Sequence, residues 1–344
     1  MTYKTLMESE IYEEPRVIEK ILKDNIGIVE RIKEYIKSRR ISSVYISARG
    51  TSDNASTIGK YLIESVLRFP TALSAPSLFT IYNTPPILKD SLVIGVSQSG
   101  RGEDVNEVMA EGKRQGAFCV AITNDTESPV AKIADEILPC WAGEEKSVAA
   151  TKTYLAEVFN LYLFTAILGG RKDLLISLYD MPRYIEEVIS KSSEIDVTRY
   201  HFMDRCIIIG RGFNYPTAME FSLKLKETSY IFSEAFSSAD FLHGPLALAT
   251  SDLPVFIFVP SGPTYIHLSE IISVLSEKHT EIFAFSFEKI ENARINFIFP
   301  KRIEEIISPI IFAPSFQMIA NNLALEKGHN PDHPRYLKKV TITR

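Results

Sequence analysis

Several residue types and segments that would assign a chemical class are scarce or missing in this chain of 344 residues. Its three cysteines, Cys119, Cys140 and Cys206, are an odd and widely spaced set, mostly inside apolar runs. They favour buried reduced thiols over a disulfide framework, and so point to the cytoplasm. No uninterrupted apolar run reaches the roughly 18 residues that a membrane span needs. The N-terminus also lacks the apolar core of a secretory signal, so we expect a cytoplasmic protein with no membrane partner.

Basic clusters and metal-binding spacings are absent as well. The formal net charge is −5, and only Arg39-Arg40 stands out as a basic pair, which argues against a nucleic-acid partner. His329 and His333 are four residues apart, but the prolines around them make a helix improbable, so they do not share a helix face. H-E-x-x-H, C-x-x-C and the P-loop pattern do not occur. We therefore predict no metal and no cofactor.

What the chain does have is strands alternating with helices. Residues 1–40 show apolar positions at helical spacing, and from Ile41 the period changes. Short apolar runs then predict strands at 44–46, 92–96, 117–122 and 137–138, with helical segments between them. This alternation is typical of the α/β class, with a parallel sheet covered by helices on both faces.

The pattern then repeats in the second half of the chain. Arg49-Gly50 recurs as Arg211-Gly212, and Ser99-Gly100 recurs as Ser261-Gly262; both pairs are 162 residues apart, 49 to 211 and 99 to 261. A shared offset with matching element types predicts a duplicated α/β domain. We expect Met181-Pro182 to begin the helix that leads into the second half. The predicted boundaries are a helical segment 1–40, domains 41–175 and 176–327, and a tail 328–344 anchored by Tyr336, Leu337 and Val340.

Polar residues follow two strands of the first half. Ser97, Gln98 and Ser99 come after one strand, and Thr51 and Ser52 come after another. Ligands of parallel sheets bind beyond the carboxyl ends of the strands, and hydroxyls with glycine-freed N–H groups suit a phosphate. An ordinary polar loop is the alternative. The second half has prolines in the equivalent loop, so we expect the first half to bind the phosphate.

The segment 223–248 carries residues that could do proton chemistry. Lys224 and Glu227 are three apart and so share a helix face. They are either an exposed ion pair or a carboxylate base with a cation that holds developing negative charge. His243 precedes Gly244-Pro245, which places it at a turn or a helix start.

These motifs together resemble the tandem SIS (sugar isomerase) domain family. The chain is similar to the isomerase half of glucosamine-6-phosphate synthase and to the SIS-type glucosamine-6-phosphate deaminases. The resemblance covers nearly the whole chain. It rests on MESEIYEEP (7–15), ARGTSDNA (48–55), SQSG (97–100), AGEEKSVAATK (142–152), GRGFNYPTAMEFSLKLKE (210–227), LHGPLAL (242–248) and PDHPRYLKKVT (331–341). It implies two tandem SIS domains, each a three-layer α/β/α sandwich with a parallel sheet.

The resemblance also implies roles for residues at matching positions. The phosphate-binding positions are Ser97, Gln98, Ser99, Thr51 and Ser52, and the positions lining the sugar are Glu145 and Val148. Glu227 matches the base that moves a proton between C1 and C2 of the open-chain sugar, and Lys224 matches its helper. His243 matches the ring-opening histidine, which a neighbouring subunit supplies in the synthase. Lys339 matches the tail lysine that forms a Schiff base with the ketose.

Departures from the synthase pattern favour the deaminase branch. Arg101 and Gly102 stand where the synthase continues with Glu and Thr, and Ala150 replaces a serine. A phosphate-binding hydroxyl is thus missing, and the sequence leaves open whether Arg101 replaces it. No glutaminase domain is expected, because Met1 is followed by Thr2 and not by a nucleophilic cysteine.

The leading hypothesis is a homodimeric enzyme with shared active sites that converts glucosamine 6-phosphate to fructose 6-phosphate and ammonia. The alternative is the isomerase subunit of a glucosamine-6-phosphate synthase that works with a separate glutaminase. A third hypothesis, a phosphosugar-sensing regulator, is disfavoured because a sensor needs no proton shuttle.

Overall fold

The computed structural model describes residues 4–339, which divide into two units with one parallel sheet each. The β1–β5 unit holds Glu13–Glu145, Lys152–Pro182 and the chain from Lys338. The β6–β10 unit holds the chain up to Tyr12, Lys146–Thr151 and Arg183–Leu337. The predicted α/β class is confirmed.

The described residues contain ten strands and twelve α-helices. The strands are β1 (Ser43–Ser47), β2 (Thr71–Leu73), β3 (Ser91–Val96), β4 (Phe118–Thr123), β5 (Glu136–Pro139), β6 (Arg205–Gly210), β7 (Phe232–Ser237), β8 (Val255–Val259), β9 (Ile282–Ser286) and β10 (Ile295–Ile298). The helices are α1 (Leu6–Asp24), α2 (Ile26–Lys37), α3 (Thr51–Leu62), α4 (Ser77–Thr80), α5 (Glu103–Arg114), α6 (Pro129–Ile133), α7 (Lys152–Leu168), α8 (Lys172–Ser193), α9 (Tyr215–Ser229), α10 (Ser238–Leu242), α11 (Tyr265–Glu277) and α12 (Ser308–Glu326). Short 3-10 helices occupy Thr198–Tyr200, Gly212–Asn214, Pro245–Leu248 and Glu305–Ile307, and a π-helical turn occupies Ile63–Leu67.

The two sheets have the same topology. One has the order β2-β1-β3-β4-β5, and the other, read in the same sense, has the order β7-β6-β8-β9-β10. All the pairs are parallel; for example, Val93 pairs with Cys119 in the first sheet and Phe258 with Phe285 in the second. Each strand of one unit therefore has a counterpart in the other, which confirms the duplication predicted from the shared offset.

The central strands are apolar along their whole length because helices cover both faces of each sheet. Every residue of β3, β4, β8 and β9 is buried. Such strands read as continuous apolar runs without alternation, which is why the sequence shows them clearly. The edge strand β2 has three residues and follows Pro70, and this short signal was missed.

The expected helix start at Met181-Pro182 is wrong. Helix α8 begins at Lys172 and continues through Pro182 to Ser193. Proline inside a helix costs about 3 kcal/mol, since it removes a hydrogen bond and clashes with the preceding turn. Leu178 and Ile185 are fully buried on either side of it. This burial on a continuous apolar face offsets the cost and keeps one helix.

The tail is ordered through Lys339, but two of its expected anchors are wrong and Val340 lies outside the described residues. Tyr336 is 98% exposed and Leu337 is 45% exposed. The tail is held instead by polar contacts. The carboxylate of Asp332 accepts the N–H groups of Leu6 and Met7, both at 2.8 Å, at the start of α1. A carboxylate that accepts the free N–H groups at a helix start contributes about 1 kcal/mol, so it can fix this part of the tail without apolar anchors.

Helix α12 is long and apolar enough to pass a length-and-composition test for a membrane span. Within the span Glu305–Glu326, 89% of the residues of the 18-residue window that passes the test are buried inside the protein. Core helices pass the same test, and one such helix is weak evidence for a membrane span.

Candidate functional site

The loop after β3 is built to leave backbone donors facing outward. Ser97 donates its N–H to Ile122 at 3.0 Å, and the carbonyl of Gln98 accepts the N–H of Asn124 at 3.1 Å, so the loop is tied to β4 and the turn after it. Within the described chain the N–H groups of Gln98 and Ser99 meet no acceptor. Helix α5 begins four residues after Ser99, and its N-terminus adds a partial positive charge.

Gly100 is required in this loop for two reasons. Its φ is +64°, in the left-handed region that side chains rarely adopt. A Cβ there would also lie 2.0 Å from the Oγ of Ser128. The turn therefore packs closely against Ser128 and projects Ser97, Gln98 and Ser99 as half-buried side chains. This arrangement suits a monophosphate bound without a metal.

Arg101 is engaged next to the loop. Its guanidinium lies 3.1 Å from the carboxylate of Asp125, and the Arg101 side chain is 64% exposed. The sequence left open whether Arg101 replaces the missing hydroxyl of the phosphate loop. In this conformation the guanidinium is paired with a carboxylate, although a screened surface pair of this kind is weak enough to exchange partners.

The loop after β1 is joined to α5. Gly50 has a φ of +56° and precedes α3, which begins at Thr51. Arg49 donates from Nε to the buried carboxylate of Asp104 at 2.8 Å, in the first turn of α5. Ser52 is buried, and its hydroxyl donates to Oε1 of Glu157 at 2.8 Å. Thr51 is half-buried at the helix start.

Glu145 and Lys339, predicted on separate motifs 194 residues apart, are in direct contact. The Nζ of Lys339 lies 2.5 Å from Oε2 of Glu145, whose side chain is fully buried. Glu145 also accepts the backbone N–H of Thr153 at 3.1 Å and its hydroxyl at 2.7 Å. The carboxylate is thus fixed at the start of α7 and holds the lysine amine in place.

Val148 is in the β6–β10 unit, on the short segment Lys146–Thr151, and is half-buried. The carboxylate of Glu10 holds this segment by accepting the N–H groups of Lys146 and Ser147. At the other end of the segment, Gln317 donates to the carbonyl of Thr151 at 3.2 Å.

Helix α9 presents a lysine between two carboxylates. The Nζ of Lys224 lies 3.2 Å from Oε1 of Glu220 and 2.6 Å from Oε2 of Glu227. Lys224 and Glu220 are fully buried, and Glu227 is 22% exposed. Burial disfavours the charge on Lys224, but the two carboxylates outweigh it and raise the pKa of the ammonium above its ordinary value. Lys224 therefore stays charged and holds Glu227 at the edge of the buried helix.

His243 lies on an exposed loop. It follows the end of α10 and precedes Gly244, which has a φ of +143°. Its backbone N–H donates to Asp240 at 3.1 Å, and its ring has no hydrogen bond to any residue in the described range. The predicted turn is confirmed, and the structure places the imidazole where another molecule can reach it.

Three carboxylates were missed from the sequence. Glu220 could have been found, because Glu220, Lys224 and Glu227 stand at positions i, i+4 and i+7 of one helix. Glu157, which accepts from Ser52, and Glu10, which holds Lys146 and Ser147, contact residues more than 100 positions away. No local pattern could have found these two. Over residues 4–339 no group of three or more His, Cys, Asp or Glu could hold a metal ion.

Comparison with known proteins gives a consistent result. The SIS domain profile matches residues 36–167 and 203–327. An isomerizing glutamine–fructose-6-phosphate aminotransferase from Gloeobacter violaceus is 34% identical over 99% of this chain. The chain spans 59% of the length of that relative.

Two solved structures have the same fold. The C-terminal domain of glucosamine-fructose-6-phosphate aminotransferase from Francisella tularensis has a TM-score of 0.87 at 26% identity, covering 96% of this chain and 98% of that one. Glucosamine-6-phosphate deaminase from Thermotoga maritima has a TM-score of 0.79, covering 98% and 100%. At 20% identity the second likeness is one of fold alone.

Proposed function

The chain belongs to the SIS domain family, and on this premise we propose that it isomerises and deaminates an amino-sugar phosphate. The proposed reaction converts glucosamine 6-phosphate and water to fructose 6-phosphate and ammonia. The observation that carries the proposal is the α9 arrangement, in which buried Lys224 holds the partly exposed carboxylate of Glu227. A fixed carboxylate beside a permanent positive charge is suited to moving a proton next to a carbonyl group.

The phosphate is bound by the loop after β3. The N–H groups of Gln98 and Ser99 and the hydroxyls of Ser97 and Ser99 donate to its oxygens, and α5 adds its dipole. Ser52 and Thr51 support the neighbouring loop. Because these donors are neutral, they bind the phosphate group without neutralising its charge. Such binding suits a sugar phosphate that is released after each turnover.

The chemistry begins with ring opening, for which His243 transfers the proton between the ring oxygen and the C1 hydroxyl. Glu227 then removes the proton from C2 of the open-chain aldehyde, and O1 takes up the proton that the C2 ammonium group gives up, to form an enaminol. Glu227 returns its proton to C1, which leaves a protonated imine at C2. Water adds to this imine and ammonia leaves, which gives the ketose. Each proton removed is thus returned, and water supplies the ketone oxygen.

Lys339 has a role on the ketose side. Its amine can condense with the C2 carbonyl of fructose 6-phosphate to form a Schiff base and release water. The ion pair with Glu145 holds the amine in one position. Glu145 and Val148 are proposed to line the sugar.

The assembly proposed for this enzyme is a cytoplasmic homodimer with shared active sites. The exposed position of the His243 ring supports a role in a site of a second copy of the chain. The three cysteines are free and buried, which fits a reducing compartment.

A second candidate is synthesis of glucosamine 6-phosphate from fructose 6-phosphate, with ammonia from a separate glutaminase or from solution. It is favoured by the 34% identity to an isomerizing aminotransferase over 99% of this chain. The same proton shuttle would run in the opposite direction.

An ammonia-release assay on the purified chain separates these candidates. We expect ammonia and fructose 6-phosphate in equal amounts from glucosamine 6-phosphate. Glu227→Gln should lower kcat by about 10²–10⁴-fold, typical for loss of a general base, and leave substrate binding intact. Glu277→Gln, at an exposed position on α11, is the matched control and should keep full activity.

The outcomes have distinct meanings. Ammonia uptake into fructose 6-phosphate without release from glucosamine 6-phosphate would favour the synthesis candidate. If neither direction proceeds, while Glu227→Gln keeps full binding and cellular function, the chain is a phosphosugar sensor and the proposed enzyme activity is wrong.

A further inference from the structure

The proposed phosphate site, here called the phosphate seat, lies between the loops after β3 (Ser97–Gly102) and after β1 (Arg49 and Gly50). The β6–β10 unit contains counterparts of both loops. Strand β8 leads through Pro260–Thr264 into α11, as β3 leads through Ser97–Gly102 into α5. Strand β6 leads through Arg211 and Gly212 into its helix, as β1 leads through Arg49 and Gly50. Because the strand orders of the two sheets match, these counterpart loops are neighbours at the carboxyl edge of the second sheet.

A carboxylate of the chain itself lies at this edge. Glu305 is 7% exposed, and its Oε2 accepts the backbone N–H of Thr264, the N-cap of α11, at 3.0 Å. A Cβ built on Gly262 would lie 2.5 Å from Oε2, and one built on Gly212 would lie 3.5 Å from Oε1. The carboxylate therefore contacts both counterpart loops, where a bound phosphate would lie.

The acidic residues in the first turns of α5 and α11 differ, which supports the view that Glu305 acts as the anion of α11. Helix α5 has Glu103 and Asp104 in its first turn, whereas α11 has no acidic residue there. The N-terminus of α11 thus receives its negative charge from Glu305, 41 positions along the chain.

Buried hydrogen bonds to its backbone fix the position of Glu305. Its carbonyl accepts the hydroxyl of Ser308 at 2.7 Å, and the same hydroxyl accepts the side-chain amide of Asn214 at 2.7 Å. Ser308 and Asn214 are fully buried. The 3-10 helix Glu305–Ile307 leads directly into α12, so the carboxylate stands on a rigid element.

We propose that Glu305 is an internal anion that fills the second sheet's counterpart of the phosphate seat. One chain then takes a phosphate at its first sheet only, although both sheets have a strand, a loop and a helix N-terminus in corresponding places. The seat at the second sheet is a latent site for a tetrahedral oxyanion such as phosphate or sulfate. The carboxylate of Glu305 occupies this site and so prevents an anion from binding there. The comparison with the first seat rests on the proposed function, but the closure by Glu305 does not.

The test is a calorimetric titration with inorganic phosphate. The wild type should bind about one phosphate per chain and lose it in the double variant Ser97→Ala, Ser99→Ala. Glu305→Ala should bind about two, and should keep one when combined with the two serine substitutions. Glu304→Ala, the exposed neighbour, is the matched control and should behave as the wild type.

A thermal measurement keeps the proposal falsifiable if Glu305→Ala folds poorly. Glu305→Ser removes the carboxylate and shortens the side chain, so it should lower Tm, and phosphate should raise its Tm more than that of the wild type, by ligand linkage. A folded Glu305→Ala that binds no additional phosphate, or phosphate shifts equal to those of Glu304→Ala, overturn the proposal. Absence of phosphate from the wild type alone would contradict the first seat, and so the proposed function, without affecting the gain in Glu305→Ala.

Discussion

Lys339 illustrates how one residue acquires a chemical role from its partner. An exposed tail lysine would be a mobile, strongly hydrated amine, but this one is paired with a fully buried carboxylate. The pair restricts the amine to one position, and a restricted amine loses less entropy when it condenses with a carbonyl. Lys338, its neighbour, is exposed and makes no such contact within the described chain.

The pair leads to a trapping prediction. Borohydride reduces a Schiff base irreversibly, so fructose 6-phosphate and borohydride should add one sugar phosphate to the wild-type chain, as read by mass spectrometry. Lys339→Arg keeps the ion pair with Glu145 but has no condensing amine, and it should form no adduct. Lys338→Arg is the control and should be trapped as the wild type is; a full-strength adduct on Lys339→Arg would remove the proposed role.

Residue-level prediction from the sequence succeeded where the partners are local. The spacing of Lys224 and Glu227 predicted a shared helix face, and they are in contact. The contact between Glu145 and Lys339 spans 194 positions, so no spacing could show it, and only the resemblance placed both in the site. The structure adds the direct contacts, between Lys224 and Glu227 and between Glu145 and Lys339.

At the scale of elements, α9 depends on a charge network inside the protein. Glu220 and Lys224 are fully buried, and each provides the compensation that the other needs. Removing one partner of a buried pair leaves an uncompensated charge, which is costly, whereas the intact pair itself contributes little net stability.

Lys224→Met should therefore lower the free energy of unfolding by about 3–5 kcal/mol, because it takes the cation away from the buried Glu220 carboxylate. Urea unfolding followed by circular dichroism measures the change. Lys226→Met, an exposed site on the same helix, is the control and should change stability by less than about 0.5 kcal/mol. Equal losses for both variants would show that the buried pair is not the cause.

Long and fully buried strands and helices were the easiest to predict from the sequence. The six-residue strands β3 and β4 are continuous apolar runs, so the sequence located them. The helix start at Met181-Pro182 was wrong, since the proline signal is local, whereas the burial of Leu178 and Ile185 is set by the tertiary structure. The break between α1 and α2 was missed because it rests on buried Asn25, whose amide donates to the carbonyl of Pro139 at 2.9 Å.

At the scale of the whole molecule, many weakly acidic groups lie in the cores. Burial raises the pKa of the Cys119 thiol from 9.0 to about 12, and the nearby Asp135 carboxylate adds to the effect. Burial likewise raises the pKa of the Tyr184 phenol from 10.0 to about 12. In the folded chain these groups keep their protons at pH values where the unfolded chain loses them.

Stability should consequently fall as the pH rises above about 9. Between pH 9 and 12 the folded state binds the Cys119 proton and the unfolded state does not, so the free energy of unfolding decreases with pH. This one thiol accounts for a loss of about 4 kcal/mol over that window. Urea midpoints at several pH values from 8 to 11 measure the slope, and Cys119→Ala should make it shallower; an unchanged slope would assign the loss elsewhere.

The duplication was predictable at this scale, and the divergence of the two halves was predictable only in part. Two dipeptides with one offset were enough to predict two related sheets, because loop glycines and strand ends are encoded locally. The prolines Pro260 and Pro263 correctly suggested a different loop in the second half. Nothing near them indicated Glu305, since its contact with Thr264 spans 41 positions.

Helix α7 has one further consequence, for the chain's tolerance of mutation. Of its 17 residues, 16 are buried, so α7 has no solvent-exposed face. Most helices accept substitutions on a solvent stripe and refuse them every three or four residues. In a saturation library, α7 should instead show intolerance at its 16 buried positions, without helical periodicity. Its pattern of tolerated substitutions would then resemble that of a buried central strand.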